Sequence, residues 1–116
     1  MPPRTSESGR AASIAALAVF VAAAPSIAAD HGTLTDAEAL AIVHKHCVAC
    51  HAAKPTHPAF AEAPNGVVLE SFADLKKYAS RIYAQTVQNK AMPLGNSTGM
   101  TDEERTALGR WLKAPP

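Results

Sequence analysis

Thr35-Asp36-Ala37-Glu38-Ala39-Leu40-Ala41-Ile42-Val43-His44-Lys45-His46-Cys47-Val48-Ala49-Cys50-His51 is the stretch on which the reading of this chain turns. Thr35 suits an N-cap, Glu38 three positions on completes a capping box, and Leu34 sits just outside it. Leu40, Val43 and Cys47 then fall on one face at helical spacing. The stretch predicts a helix with both cysteines at its C-terminal end.

A disulfide between Cys47 and Cys50 would close a loop too small to contribute much to a fold, so chemistry explains the pair better than stapling. Two thiols at this spacing can add across the vinyl groups of a haem, and the imidazole of His51 can ligate its iron. Two rivals share the motif. A structural zinc needs four ligands at closed geometry; Cys47, Cys50 and His51 supply three and His46 or His57 a fourth, but the usual second pair of closely spaced ligands is missing. A thioredoxin-type site places its nucleophilic cysteine at a helix N-terminus after a strand, whereas here the cysteines end a helix and no strand precedes them. Context therefore favours one covalent haem c, with Cys47 and Cys50 as thioethers and His51 as the proximal iron ligand.

For the distal ligand the candidate is Met92, which Pro93 biases towards an extended loop conformation from which a thioether can reach a haem face. Met100 is the competitor, but it directly precedes a helix cap, and most methionines are core filler. His44, His46 or His57 would each give a bis-histidine haem; the ordinary reading of each is a surface or propionate-side histidine, and His31 falls in the N-terminal segment. Tyr78, Arg81 and Tyr83 suit haem propionates, and a half-buried helix face explains them equally well. Trp111 reads as a core residue between the last helix, the first helix and the haem edge. Gly109 costs about 1 kcal/mol against Ala inside a helix, unless it admits the close approach of another helix.

Between these residues the chain reads as helical. Prolines 55, 58 and 64 and Asn65-Gly66 exclude long regular structure from 52 to 66. From 71 to 87, Phe72, Leu75, Ala79, Ile82 and Thr86 share a face, and propensity does not decide between a continuous helix and one broken near Ala79-Ser80. Residues 90–99 form a loop. Thr101 and Glu104 make a second capping box, and Asp102, Glu103 and Glu104 suit a helix start as Arg110 and Lys113 suit its end. Leu108, Trp111 and Leu112 are its apolar stripe, Pro115-Pro116 stops it, and nothing alternates convincingly at period two. The expectation is an all-α fold.

The first 28 residues read as a signal peptide rather than as part of this domain. Arg4 and Arg10 lie in a polar leader, 11–24 is uncharged and apolar, Pro25 breaks the run, and Ser26-Ile27-Ala28 offers small residues for cleavage. The run is too short and alanine-rich for a good membrane span, although an uncleaved anchor is the competing reading. Residues 29–116 then form the haem domain. Without Arg4, Arg10 and Glu7, the chain of 116 residues retains nine Lys/Arg and nine Asp/Glu, a balance that argues against nucleic acid. A domain this small often leans on a bound group for stability.

The capped helix ending in Cys-x-x-Cys-His, the Met-bearing loop and the C-terminal helix together resemble class I cytochromes c. That resemblance covers essentially all of 29–116 and implies crossed first and last helices with one haem edge exposed. His46 to Pro58, Arg81 to Val87 and Ala91 to Asn96 look like the cytochrome c domain at the C-terminus of bacterial membrane-bound urate oxidases. There the haem domain is thought to accept electrons from the urate-oxidising membrane portion. This chain has an export signal in place of a multi-span region, so the resemblance implies that any urate chemistry lies on another polypeptide.

The resulting expectation is a periplasmic mono-haem electron carrier, not an enzyme in its own right, with His51 and Met92 filling both axial positions. Its partners would be a donor dehydrogenase or oxidase and a respiratory acceptor, with no nucleic acid and no membrane span after cleavage. The alternatives are a dedicated haem subunit of an oxidoreductase complex, such as a urate-oxidising one, and a haem sensor with five-coordinate iron.

Overall fold

A computed structural model describes residues 1–3, 9, 13–20 and 32–115. Four helices run in the order α1 (Asp36–His46), α2 (Phe72–Lys77), α3 (Ala79–Tyr83) and α4 (Asp102–Lys113). A π-helical turn, Ala84–Gln88, extends α3, and short 3-10 turns occur at Pro64–Gly66 and Leu94–Asn96. Among the described residues there is no strand, and no helix is long and apolar enough to cross a membrane. The all-α expectation holds.

The helix starts are set by local chemistry. Thr35, Ser71 and Thr101 each accept from the backbone N–H three residues on, while Glu38, Asp74 and Glu104 reach back to the cap N–H. The box at Ser71 had a readable signal that the sequence reading passed over, since Asp in place of Glu or Gln weakens the motif. The middle segment is broken, a point that propensity left open, at Tyr78, where φ −104° and ψ 14° interrupt the helix.

Helices α1 and α4 pack in opposite senses. At one end the Trp111 indole N–H donates to Asp36 Oδ1 at 3.0 Å. At the other, the Lys45 ammonium and the buried His46 ring lie 2.9 Å from the two oxygens of Glu104. Ala39 and Val43 of α1, Leu75, Ile82, Leu69, Met100, Leu108 and Trp111 form the core cluster, of which Val43, Leu75 and Leu108 are the largest side chains fully withdrawn from water. Phe72 only partly joins it, meeting the Trp111 ring edge-on at 5.8 Å. Gly109 is the close-approach position that its cost in a helix implied: a Cβ there would lie 3.1 Å from Val87 Cγ2 and 3.3 Å from Tyr83 Cε2.

Within the apolar run near the N-terminus, residues 13–20 have no regular structure, and Ile14, Leu17, Val19 and Phe20 are exposed rather than packed into the core. The proposed cleavage site at Ser26-Ile27-Ala28, the domain start at Ala29 and His31 lie outside the described residues.

Glu104 ties the two terminal helices together and is the acid-sensitive joint. Partial burial pushes its carboxyl up, but the Thr101 N–H, the Lys45 ammonium and His46 outweigh that and hold it at about 2. A carboxylate held below its ordinary value contributes stability that is fully present above the unfolded pKa of 4.5 and is lost as pH falls towards 2. Glu104→Gln should therefore lower the melting temperature at pH 7 and flatten its decline between pH 4.5 and 2. Parallel melting-temperature profiles for the two proteins would disprove this role.

Candidate functional site

The end of α1 builds the site. Cys47 caps the helix, its N–H donating to Val43 O at 2.8 Å. Another turn then follows, with Cys50 N–H and His51 N–H both donating to Cys47 O, at 3.2 and 2.8 Å. The proline-interrupted loop leaves through Thr56 and His57, whose N–H groups both donate to Ala49 O, and returns beside His51. There the Leu69 N–H donates to His51 O at 2.8 Å, and His51 Nδ1 lies 2.9 Å from Val67 O. A carbonyl can only accept, so Nδ1 carries the hydrogen and Nε2 keeps its lone pair. That is the tautomer and ring restraint that histidine metal ligands commonly receive from a backbone carbonyl.

Cys47 and His51 line a cavity of about 580 Å³ to which Met92 also contributes. Val67, Leu69 and Ile82 make much of its wall apolar, while Asn65, Tyr78, Arg81 and Gln85 supply polar groups. Its size lies within the range of roughly 300–1,000 Å³ typical of cofactor sites. Cys50, half-buried one residue before His51, lies in the same turn but not in the cavity lining. Burial, and secondarily the neighbouring Cys50, push the Cys47 thiol up to about 11, the reverse of the activation that a thioredoxin-type nucleophile needs.

The other candidates are dispersed. Met100 is core, 4 % exposed, while Met92 is half-buried at the cavity. His44 is exposed and pairs with Glu70 O at 2.7 Å; His57 is exposed and accepts from the Ala59 N–H. His46 departs from the surface reading. It is buried, with Nδ1 2.7 Å from Thr98 Oγ1 and Nε2 facing Glu104, and it lines no part of the cavity. Helix α4 covers it, which the pattern of α1 alone could not indicate.

Of the three proposed propionate partners, Tyr78 and Arg81 line the cavity. Tyr83 instead packs beside Gly109 with the Lys113 ammonium 4.3 Å from its ring centroid. Trp111 is core as expected, but it faces Asp36, Phe72 and Lys76 rather than the cavity. Among the described residues no group of three His, Cys, Asp or Glu side chains converges to hold a metal ion, so the four-ligand zinc set does not assemble.

Arg105 is the participant that the sequence reading missed. It is buried, and Nη1 donates to Thr86 O at 2.7 Å and Met92 O at 2.8 Å, while Nη2 donates to Asn96 Oδ1 at 3.2 Å. A signal was present, because Arg105 stands at helical spacing with Leu108 and Leu112 on the apolar stripe of α4. Comparison of the chain with protein-family models, with curated proteins and with solved structures gave no match.

Proposed function

We propose that this chain is an exported mono-haem c-type cytochrome that carries single electrons between redox partner proteins and performs no substrate chemistry itself. The observation that carries the reading is the meeting of Cys47, His51 and Met92 at one largely apolar cavity, with the His51 ring fixed so that Nε2 is available to a metal. The donor set fits a haem: Cys47 at the cavity and Cys50 in the same turn would give the thioether attachments, the His51 imidazole and the Met92 thioether could hold the iron, and aliphatic walls suit a flat apolar group. When bound, a haem supplies a reversible one-electron iron couple. The chain's own residues do the rest. Cys47 and Cys50 would attach the group, Val67 O orients the His51 ring, and His51 and Met92 would supply its two side-chain donors, the thioether raising the potential relative to a second imidazole. With those donors supplied by the chain itself, one-electron exchange with partner proteins is the chemistry the group would provide.

In this reading residues 1–28 direct export to the periplasm and 29–116 form the haem domain. The exposure of Ile14, Leu17, Val19 and Phe20 outside the core supports that division. The partners are a donor dehydrogenase or oxidase and a respiratory acceptor.

The test is the attachment itself. Protein exported from a host with a c-type haem maturation system and denatured in acidified organic solvent should keep its red chromophore on the polypeptide. Haem that partitions into the solvent would overturn the proposal.

A further inference from the structure

Resting on the haem reading above, we infer that Arg105 is a positioning residue that holds the Met92 sulfur on the iron. Met92 has both of its backbone polar groups committed: its N–H donates to Gln85 O at 3.0 Å, and its carbonyl accepts from Arg105 at 2.8 Å. Gln85 and Thr86 belong to the π-helical turn, whose wider spacing releases carbonyls from the regular helical ladder. One of these takes the Met92 N–H, and the other takes the same guanidinium nitrogen that binds Met92 O.

The second guanidinium nitrogen reaches Asn96 Oδ1, which also accepts the Met100 N–H at 2.9 Å, and Asn96 Nδ2 donates to Met100 O. Arg105 thus joins three points: the turn that walls the cavity, the main chain of Met92, and the far side of the loop where it re-enters the core at Met100. The three acceptors are two main-chain carbonyls and an amide oxygen, so the planar fork serves geometry rather than charge neutralisation. A methionine is a weak, neutral ligand on a flexible side chain, and its hold on a metal depends on how firmly the backbone beneath it is placed.

The experiment uses the full haem-loaded protein and follows the weak far-red charge-transfer band of ferric iron–methionine ligation, together with the rate at which added imidazole displaces it. Arg105→Met, of similar length but without donors, should weaken or abolish the band at neutral pH while the haem stays covalently attached, and should speed displacement at least tenfold. Arg105→Lys, which keeps one cationic donor, should retain the band and give an intermediate rate. Leu108→Val, a core truncation one turn along α4 that removes no hydrogen bond, should lower the melting temperature without changing the displacement rate.

If Arg105→Met fails to fold, the Lys variant carries the test through its rate. A wild-type band with variants that match it in band and rate overturns the inference alone. Acceleration by Leu108→Val equal to that by Arg105→Lys also overturns it, because general loosening would then explain the effect. A wild-type protein without the band overturns Met92 ligation and this inference with it.

Discussion

Cys47→Ser combined with Cys50→Ser is expected to yield, when shown to be haem-free, a chain with sharply reduced helicity and no cooperative melt. The reason lies in what is left to form a core. Among the described residues the largest side chains fully withdrawn from water are Val43, Leu75 and Leu108, and the buried cluster holds a single aromatic ring, that of Trp111. Beside that cluster lies the cavity of about 580 Å³, whose wall includes the core residues Leu69 and Ile82.

A flat apolar group in the cavity removes much of that wall from water at about 25 cal/mol per Å². Without one, the same wall must hydrate or collapse, and collapse would pull apart the turns that carry His51 and Met92. A domain of this size has about 5 kcal/mol of net stability to lose, so the expected deficit is the whole of it. The measurement is far-UV circular dichroism with a thermal melt. A demonstrably haem-free double variant with native helicity, melting cooperatively at the wild-type temperature, would show that the helices need no group in the cavity.

Met92→Ala is expected to abolish the far-red band of the ferric protein and to lower its reduction potential on the order of 0.2 V, a fraction of the ~0.8 V range that axial ligands span. It should also let the reduced protein bind carbon monoxide at neutral pH, which the wild type should not do. Met100→Ala makes the contrast. Met100 is 4 % exposed in the core, so its truncation should cost about 2–5 kcal/mol of stability and leave band and potential near those of the wild type. The two methionines thus separate by observable, one in spectrum and potential, the other in melting temperature. The opposite pattern would transfer the ligand role to Met100.

Local chemistry made much of this fold legible. The capping boxes at Thr35 and Thr101 lie within four consecutive residues each, so the starts of α1 and α4 could be read from residue type and spacing alone. The same holds for the class of the fold, because apolar residues at helical spacing favour helices and the lack of period-two alternation argues against half-buried strands. Cys47, Cys50 and His51 are near neighbours in sequence, and their common chemistry needed no tertiary information to suggest. Pro93 drew attention to Met92, because a proline restricts the residue before it wherever the chain runs.

What only the tertiary structure decided depends on residues far apart in sequence. His46 looks like any polar residue near a helix end until Glu104, 58 positions later, covers and pairs with it. Val67 gives no sign in its own side chain that its carbonyl will hold His51, since backbone groups look alike in every sequence. Tyr83 and Trp111 suit the surroundings of a haem by residue type, and contacts with residues far off in sequence place them elsewhere, Tyr83 beside Gly109 and Lys113 and Trp111 beside Asp36, Phe72 and Lys76. Arg105 was hidden for the same reason. Its acceptors come from Thr86, Met92 and Asn96, three places that only folding brings within reach of one guanidinium. The sequence by itself determined the helix starts and the grouping of Cys47, Cys50 and His51 beside one another, which rest on interactions a few residues in range. The tertiary structure decided which side chains share the cavity and what steadies them, since those interactions are long in range and carried largely by main-chain groups that no residue type announces.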